Sequence, residues 1–128
     1  MFYLKFLYIF FLVLALNIFF FSTANINAKA FLIDEIQVSE KLENNFNKEA
    51  LINQGFKKAF NELINKLVKS NNLNKTANIS LNEIKSMIET FTIKEEKFVN
   101  EMYSVNLGVS FNKKKFFSYL ESKNIFPS

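Results

Sequence analysis

A long apolar run near the N-terminus decides how much of this chain is available to fold. Residues 6–21 are apolar apart from Asn17, and the only charge before them is Lys5. The segment turns small and polar and closes on Ala28-Lys29-Ala30. A basic start, an apolar stretch and an A-x-A triplet in this order are typical of a secretory signal peptide. We therefore predict a signal peptide over residues 1–30, cleavage after Ala30 and a mature protein in the bacterial periplasm.

The apolar run leaves one alternative open, an uncleaved anchor in the inner membrane. As a helix, residues 6–21 would rise about 24 Å, which is short of the roughly 30 Å hydrocarbon core of a bilayer. Asn17 also interrupts the run. Both facts favour cleavage, and in the anchored alternative the membrane is a partner through this segment alone.

The composition of residues 31–128 indicates a small domain that is stabilised by its hydrophobic core without disulfides. The segment carries two lysines and no acidic residue, so the net charge falls from +4 for the whole chain to +2 for residues 31–128. All the basic residues are lysine, and so weak a charge without arginine clusters predicts no nucleic-acid partner. The chain has no cysteine, so no disulfide assists the exported domain. Its ninety-eight residues are enough for one hydrophobic core.

Hydrophobic periodicity in the first half of this domain predicts a strand and then a helix. Leu32 to Val38 alternates as a half-buried strand does. Apolar residues at three- and four-residue spacing then predict an amphipathic helix from near Asn47 to Asn71-Asn72. Its inward stripe is expected to comprise Ile52, Phe56, Ala59, Phe60, Leu63, Ile64, Leu67 and Val68.

The second half predicts a short helix, two strands and a last helix. Ser80 to Glu83 has the form of a capping box, and from Phe91 the period changes to two, as in antiparallel strands joined near Asn100. Asn112 is expected to cap the last helix. The residues expected to face inward are Leu81, Ile84, Ile88, Val105, Leu107, Val109, Phe111, Phe116, Tyr119 and Leu120.

These elements predict an α+β fold, a small two-layer domain in the order β-α-α-β-β-α. A three-stranded sheet is covered on one face by two or three helices. The other face of the third strand is small and polar, and it is left for solvent or for a partner.

Residue types limit the chemistry more than any motif does. The chain lacks histidine and cysteine, which excludes the usual nucleophile–base pairs, thiolates and nearly all zinc sites. Two acidic pairs remain, Asp34-Glu35 and Glu95-Glu96. Neighbours on a strand point to opposite faces, so we expect neither pair to converge for acid–base catalysis. No catalytic residue, cofactor or metal site is predicted.

One charge cluster remains as a candidate anion contact. Lys113, Lys114 and Lys115 begin the last helix, where three cations oppose the macrodipole. Beside the free N–H groups of a helix start they could hold an anion such as a phospholipid head group. The alternative is a solvated lysine run, and the sequence favours it.

Spaced apolar and small residues give the chain a family resemblance. Those that carry it are Ile36-Gln37-Val38, Ala50, Gly55, Ala59-Phe60, Leu63, Phe91-Thr92-Ile93-Lys94-Glu95-Glu96-Lys97, Tyr103, Val109-Ser110-Phe111-Asn112 and Leu120. In these the chain resembles the bacterial exported family called domain of unknown function 2066. The resemblance implies an exported helix-on-sheet module, distantly similar to the N-terminal domain of the periplasmic flagellar assembly protein T, and it implies no activity.

The same resemblance leaves open how much of a protein this chain represents. Family members commonly continue past an aliphatic-Pro-aromatic ending, whereas this chain stops at Ile125-Phe126-Pro127-Ser128. It is expected to be either a short member or the N-terminal piece of a longer protein.

The leading hypothesis for function is a periplasmic binding or adaptor module. It would meet a protein partner of the cell envelope through the exposed sheet face or an edge strand. Two alternatives stay open, a membrane-anchored structural subunit of the envelope and a small hydrolase that works with carboxylates alone.

Overall fold

A computed structural model describes residues 3–13 and 31–126 of the chain. They belong to two compact units, Met1–Ala30 and Phe31–Ser128. In the first unit, residues 3–13 form a helix, α1, whose residues are all exposed. None of the described helices is long and apolar enough to cross a membrane. The Ala28-Lys29-Ala30 triplet and the predicted cleavage point lie outside the described residues.

The second unit confirms the predicted α+β architecture. Its elements are β1 (Leu32–Lys41), α2 (Lys48–Leu67), a 3-10 helix (Ser70–Thr76), α3 (Leu81–Met87), β2 (Ile88–Val99), β3 (Met102–Phe111) and α4 (Lys113–Ser122). The strands form one antiparallel sheet in the order β1-β3-β2. β3 is therefore central, and β1 and β2 are the two edges.

Polar side chains fix the helix starts where the sequence predicts them. The side chain of Asn47 accepts hydrogen bonds from two N–H groups of the first turn of α2. Ser80 and Asn112 cap α3 and α4 in the same way, at 3.2 and 3.0 Å. The end of α2 differs from the prediction: the helix stops at Leu67 because Val68 is extended, with φ −112° and ψ 136°.

The core lies between α2 and the helix-side face of the sheet. Fully buried side chains meet there from both layers, among them Leu63 of α2, Ile36 of β1 and Leu107 of β3. The predicted stripe omits Leu51, which is fully buried, and includes Ile52 and Leu67, which are only half-buried. Every buried hydrophobic residue of the described chain lies between Phe31 and Ile125. The second unit thus has the core that a domain needs to fold by itself.

The edge strand β2 receives little cover from this layer. Among the strands, α2 packs mainly against β1 and less against β3. None of the twelve residues of β2 is buried, whereas six of the ten residues of β3 are. The width of α2 explains this difference in burial, because a helix about 10 Å across covers only about two strands spaced about 4.8 Å apart. The sheet therefore has a third strand whose helix-side face is open.

Candidate functional site

The first acidic pair sits at an irregularity in β1. A β-bulge interrupts the pairing with β3, so Asp34 and Glu35 together oppose the single residue Gly108. Glu35 has a positive φ of 58°, and both carboxylates form ion pairs with Lys94 of β2. The prediction that these neighbours point apart is therefore wrong, because it assumed an unbroken strand.

Exposure limits what this cluster can do. The side chains of Asp34 and Glu35 are 44% and 66% exposed. Lys94 holds the pKa of Asp34 below its usual value. The amide of Asn106, which donates to Glu35 Oε2 at 2.7 Å, lowers the pKa of that carboxyl, and Lys94 adds to the effect. Both groups are ionised at neutral pH, and solvent screens such pairs strongly.

The second acidic pair diverges as predicted. Glu96 lies on the helix side, where Lys48 Nζ approaches it at 2.7 Å and the Tyr103 hydroxyl donates to it. The contact with Lys48 lowers the pKa of Glu96 most, and the hydrogen bond from Tyr103 lowers it further. Glu95 lies on the opposite face, 3.5 Å from Lys97. All the carboxylates of both pairs are exposed, so they give a hydrolase no buried acid–base pair to work with.

The three lysines of the predicted anion contact do not lie together in the structure. Lys114 and Lys115 line a groove between α3 and α4 together with Tyr119, and burial raises the pKa of that tyrosine. Lys113 is not among the residues that line this groove, and its Nζ lies over the ring of Phe31, 6.0 Å from the centroid. The three lysines thus do not surround one point, and anion contact stays a prediction.

The helix-free face of the sheet is polar, as expected from β3. A depression of about 160 Å³ lies there. Its lining residues are Gln37, Ser39, Glu95, Lys97, Ser104, Val105 and Asn106. The described part of the chain has no group of three or more acidic, histidine or cysteine side chains that could hold a metal ion. This face resembles the solvated side of an ordinary antiparallel sheet.

The helix-side face of β2 is different, because it exposes large apolar side chains. Phe91, Ile93 and Phe98 are 46%, 37% and 67% exposed; we call these three residues the apolar strip. Their cross-strand partners in β3 are Val109, Leu107 and Tyr103, all of which are buried. Since cross-strand partners share a face, the strip continues the core layer to the edge of the sheet and leaves it uncovered there.

A groove beside the strip is formed where β2 meets the helices. Phe56 of α2 packs edge-on against Phe91, with ring centroids 5.0 Å apart. The space next to them has a volume of about 240 Å³ and is lined by Phe56, Lys85, Ile88, Glu89, Thr90 and Phe91. At the other end of the strip, Phe98 packs against Tyr103, with ring centroids 4.9 Å apart. Sequence reasoning missed this surface, because alternation in β2 shows which side chains face inward and not whether a helix covers them.

Comparison with known proteins gives no guide to this surface. The chain matches no family model, no curated protein and no solved structure. Any function must therefore be argued from the chemistry of the surface itself.

Proposed function

We propose that this protein is an exported binding module that holds an extended segment of a partner protein on β2. The signal-like N-terminus supports the compartment, the periplasm. The resemblance to the family named domain of unknown function 2066 supports the same compartment. The observation that carries the proposal is the exposed apolar strip on an edge strand.

An edge strand offers two kinds of contact to such a segment. Its outer N–H and C=O groups are free to form a further ladder, and side chains that alternate along the added strand then reach the pockets beside it. On β2 the strip and the groove beside Phe56 provide those apolar contacts. Burying large apolar side chains that are now about half exposed stabilises the complex by about 25 cal/mol for each Å² removed from water.

The middle of β2 makes the surface selective. Its charged residues are Lys94, Glu95, Glu96 and Lys97, in which two lysines flank two glutamates, and the pairing with β3 is irregular between Ile93 and Glu95. Charges and bulges on edges prevent indiscriminate strand pairing. A partner segment must therefore match the charges as well as the apolar positions.

The proposal is tested by site-directed photocrosslinking in intact cells. A photoreactive amino acid replaces Thr92, which is exposed on β2, or Lys57, which is exposed on α2 and serves as the control position. We expect a product from position 92 that mass spectrometry identifies as one partner, and none from position 57. Changing Phe91 and Ile93 to serine should abolish that product while the protein remains folded and exported. The same products from both positions, or a product that survives the serine changes, would contradict the proposal.

A further inference from the structure

We infer that the segment held on β2 is β2 of a second copy of this chain. The two copies would form a symmetric dimer with one six-stranded antiparallel sheet. This inference rests on the proposed docking surface and names its occupant. It is carried by the pattern of charges, faces and apolar residues along β2.

The bulge in β2 decides which symmetric pairing is possible. Residues that oppose each other across a ladder must lie on the same face of the sheet. Phe91 and Phe98 both lie on the helix side, and Thr92 and Lys97 both lie on the other side. An uninterrupted strand would place residues seven positions apart on opposite faces. The extra residue at Lys94 removes that conflict.

One alignment places these residues opposite each other in two copies at once. Phe91 then faces Phe98 of the second copy, and Thr92 faces Lys97. At the centre Lys94 faces Glu95, and because the axis is two-fold, each of these contacts occurs twice. Aromatic pairs and opposite charges directly across an antiparallel ladder are both stabilising. Lys94 is already paired with Asp34 and Glu35 of its own copy, and Glu95 with Lys97, so the charges in the middle of β2 tolerate the reversed strand and the aromatic pairs carry the complementarity.

One pair in this alignment is mixed in character. Ile93 faces Glu96 of the second copy, on the helix side. Glu96 is already held by Lys48 and by the Tyr103 hydroxyl in its own copy. Its carboxylate therefore keeps its partners when the dimer forms, and its methylene groups are free to lie against Ile93.

The dimer would also complete the layer that α2 leaves unfinished. Each copy has α2 over β1 and β3, and although Phe56 of α2 touches Phe91, no residue of β2 is buried. Two copies joined at β2 place the two uncovered strands side by side, so that both apolar strips meet between the helices of the two copies. The strips would be buried by each other, as in the core of a two-layer fold.

The other edge of the sheet is less available for pairing. Lys58 of α2 donates a hydrogen bond to the backbone carbonyl of Gln37 in β1 at 3.1 Å. The bulge at Asp34-Glu35 also distorts that strand. Pairing through β2 alone closes after two copies, because no equivalent edge remains to extend the sheet.

The test uses cysteines, for which the cysteine-free chain is a clean background. In the unit Phe31–Ser128, Thr92→Cys and Lys97→Cys are combined in one chain. Five residues of strand separate these positions by about 17 Å, so they cannot bridge within a chain. In the proposed dimer they oppose each other, so mild oxidation or a short bis-maleimide should join two chains. Each single-cysteine variant is the matched control and should stay unjoined.

Mass in solution provides the second measurement. We expect static light scattering to give twice the mass of one chain, and Phe91→Ser with Phe98→Ser to return it to one chain with unchanged helical circular dichroism. A single-chain mass at the highest soluble concentration, or equal crosslinking of single and double cysteine variants, would overturn the dimer. If position 92 then still captures a different protein in cells in a manner that depends on the strip, the proposed function stands. If it captures nothing, both fail.

Discussion

Gly55 is the point at which α2 presses most closely on the sheet, and replacing it tests that packing. A methyl group built on Gly55 would overlap Cδ1 of Leu107, with Cγ of Leu107 at 3.7 Å and Cγ2 of Val38 at 3.8 Å. Leu107 is fully buried. Its methyl group therefore has no open space to move into, and the helix or the leucine must shift.

The size of the effect follows from two opposing terms. Alanine favours a helix interior over glycine by about 1 kcal/mol. Overpacking a dense core costs about 1–3 kcal/mol. We therefore expect Gly55→Ala to lower the free energy of unfolding by about 1 kcal/mol, which lowers Tm by about 4–8 °C in a domain of this size.

Urea denaturation of a double-mutant cycle separates the two terms. Leu107→Ala alone should cost about 2–5 kcal/mol and leave space beside α2. The methyl of Ala at position 55 then fits, so the double variant should be more stable than the sum of the single changes predicts, by about 0.5–3 kcal/mol. Gly108→Ala is the control, because there the methyl meets the carboxylate of Asp34 at 3.0 Å, and that side chain is 44% exposed and has solvent on one side into which it can shift. A Gly55→Ala variant that gains stability, with an additive cycle, would refute the close approach.

Three further changes test other parts of the domain. Ser80→Ala removes the cap of α3 and should lower the free energy of unfolding in urea by about 1 kcal/mol. Lys48→Gln should raise the pKa of Glu96 towards the ordinary carboxyl value in a carboxyl NMR titration. Folding lowers the pKa of Glu96, so this carboxylate stabilises the folded protein at pH values above its ordinary pKa, and that stabilisation is lost as the pH falls. The Lys48→Gln variant should therefore lose less stability on acidification than the unchanged protein does. The intact mass of the exported form should show that it begins at Phe31. This residue is 7% exposed, so Phe31→Ala should lower the free energy of unfolding by about 3 kcal/mol in thermal unfolding.

Local patterns predict most of this fold because they record local requirements. Apolar residues three and four apart place α2, and strict alternation places β3 with Val105, Leu107 and Val109 inward. Asn47 and Ser80 mark helix starts because their side chains accept the free N–H groups of the first turn. The end of α2 is less certain from sequence, because apolar residues continue at helical spacing to Val68 although the helix ends before it.

The bulge at Asp34-Glu35 shows where such patterns fail. Alternation assumes one residue opposite one, and nothing in two adjacent acids predicts that both oppose Gly108. A signal was present in Gly108 itself, since glycine inside a strand often marks a bulge or a close approach. Here it leaves room for the Asp34 carboxylate and for the stem of Lys94, which lie 3.0 and 3.6 Å from where its Cβ would be.

The open face of β2 could not be predicted for a different reason, because coverage depends on both layers together. One long helix lies over β1 and β3, and α3 and α4, with seven and ten residues, are too short to extend that cover along a twelve-residue strand. A strand left bare in this way is usually charged on both faces to stay soluble. β2 instead keeps Phe91 and Phe98 on the side that continues the core, and confines most of its charge to its centre. Apolar ends with a charged middle suit a surface that is exposed in the free protein and covered in a complex, and the register that places Phe91 opposite Phe98 favours the same strand of a second copy as the cover.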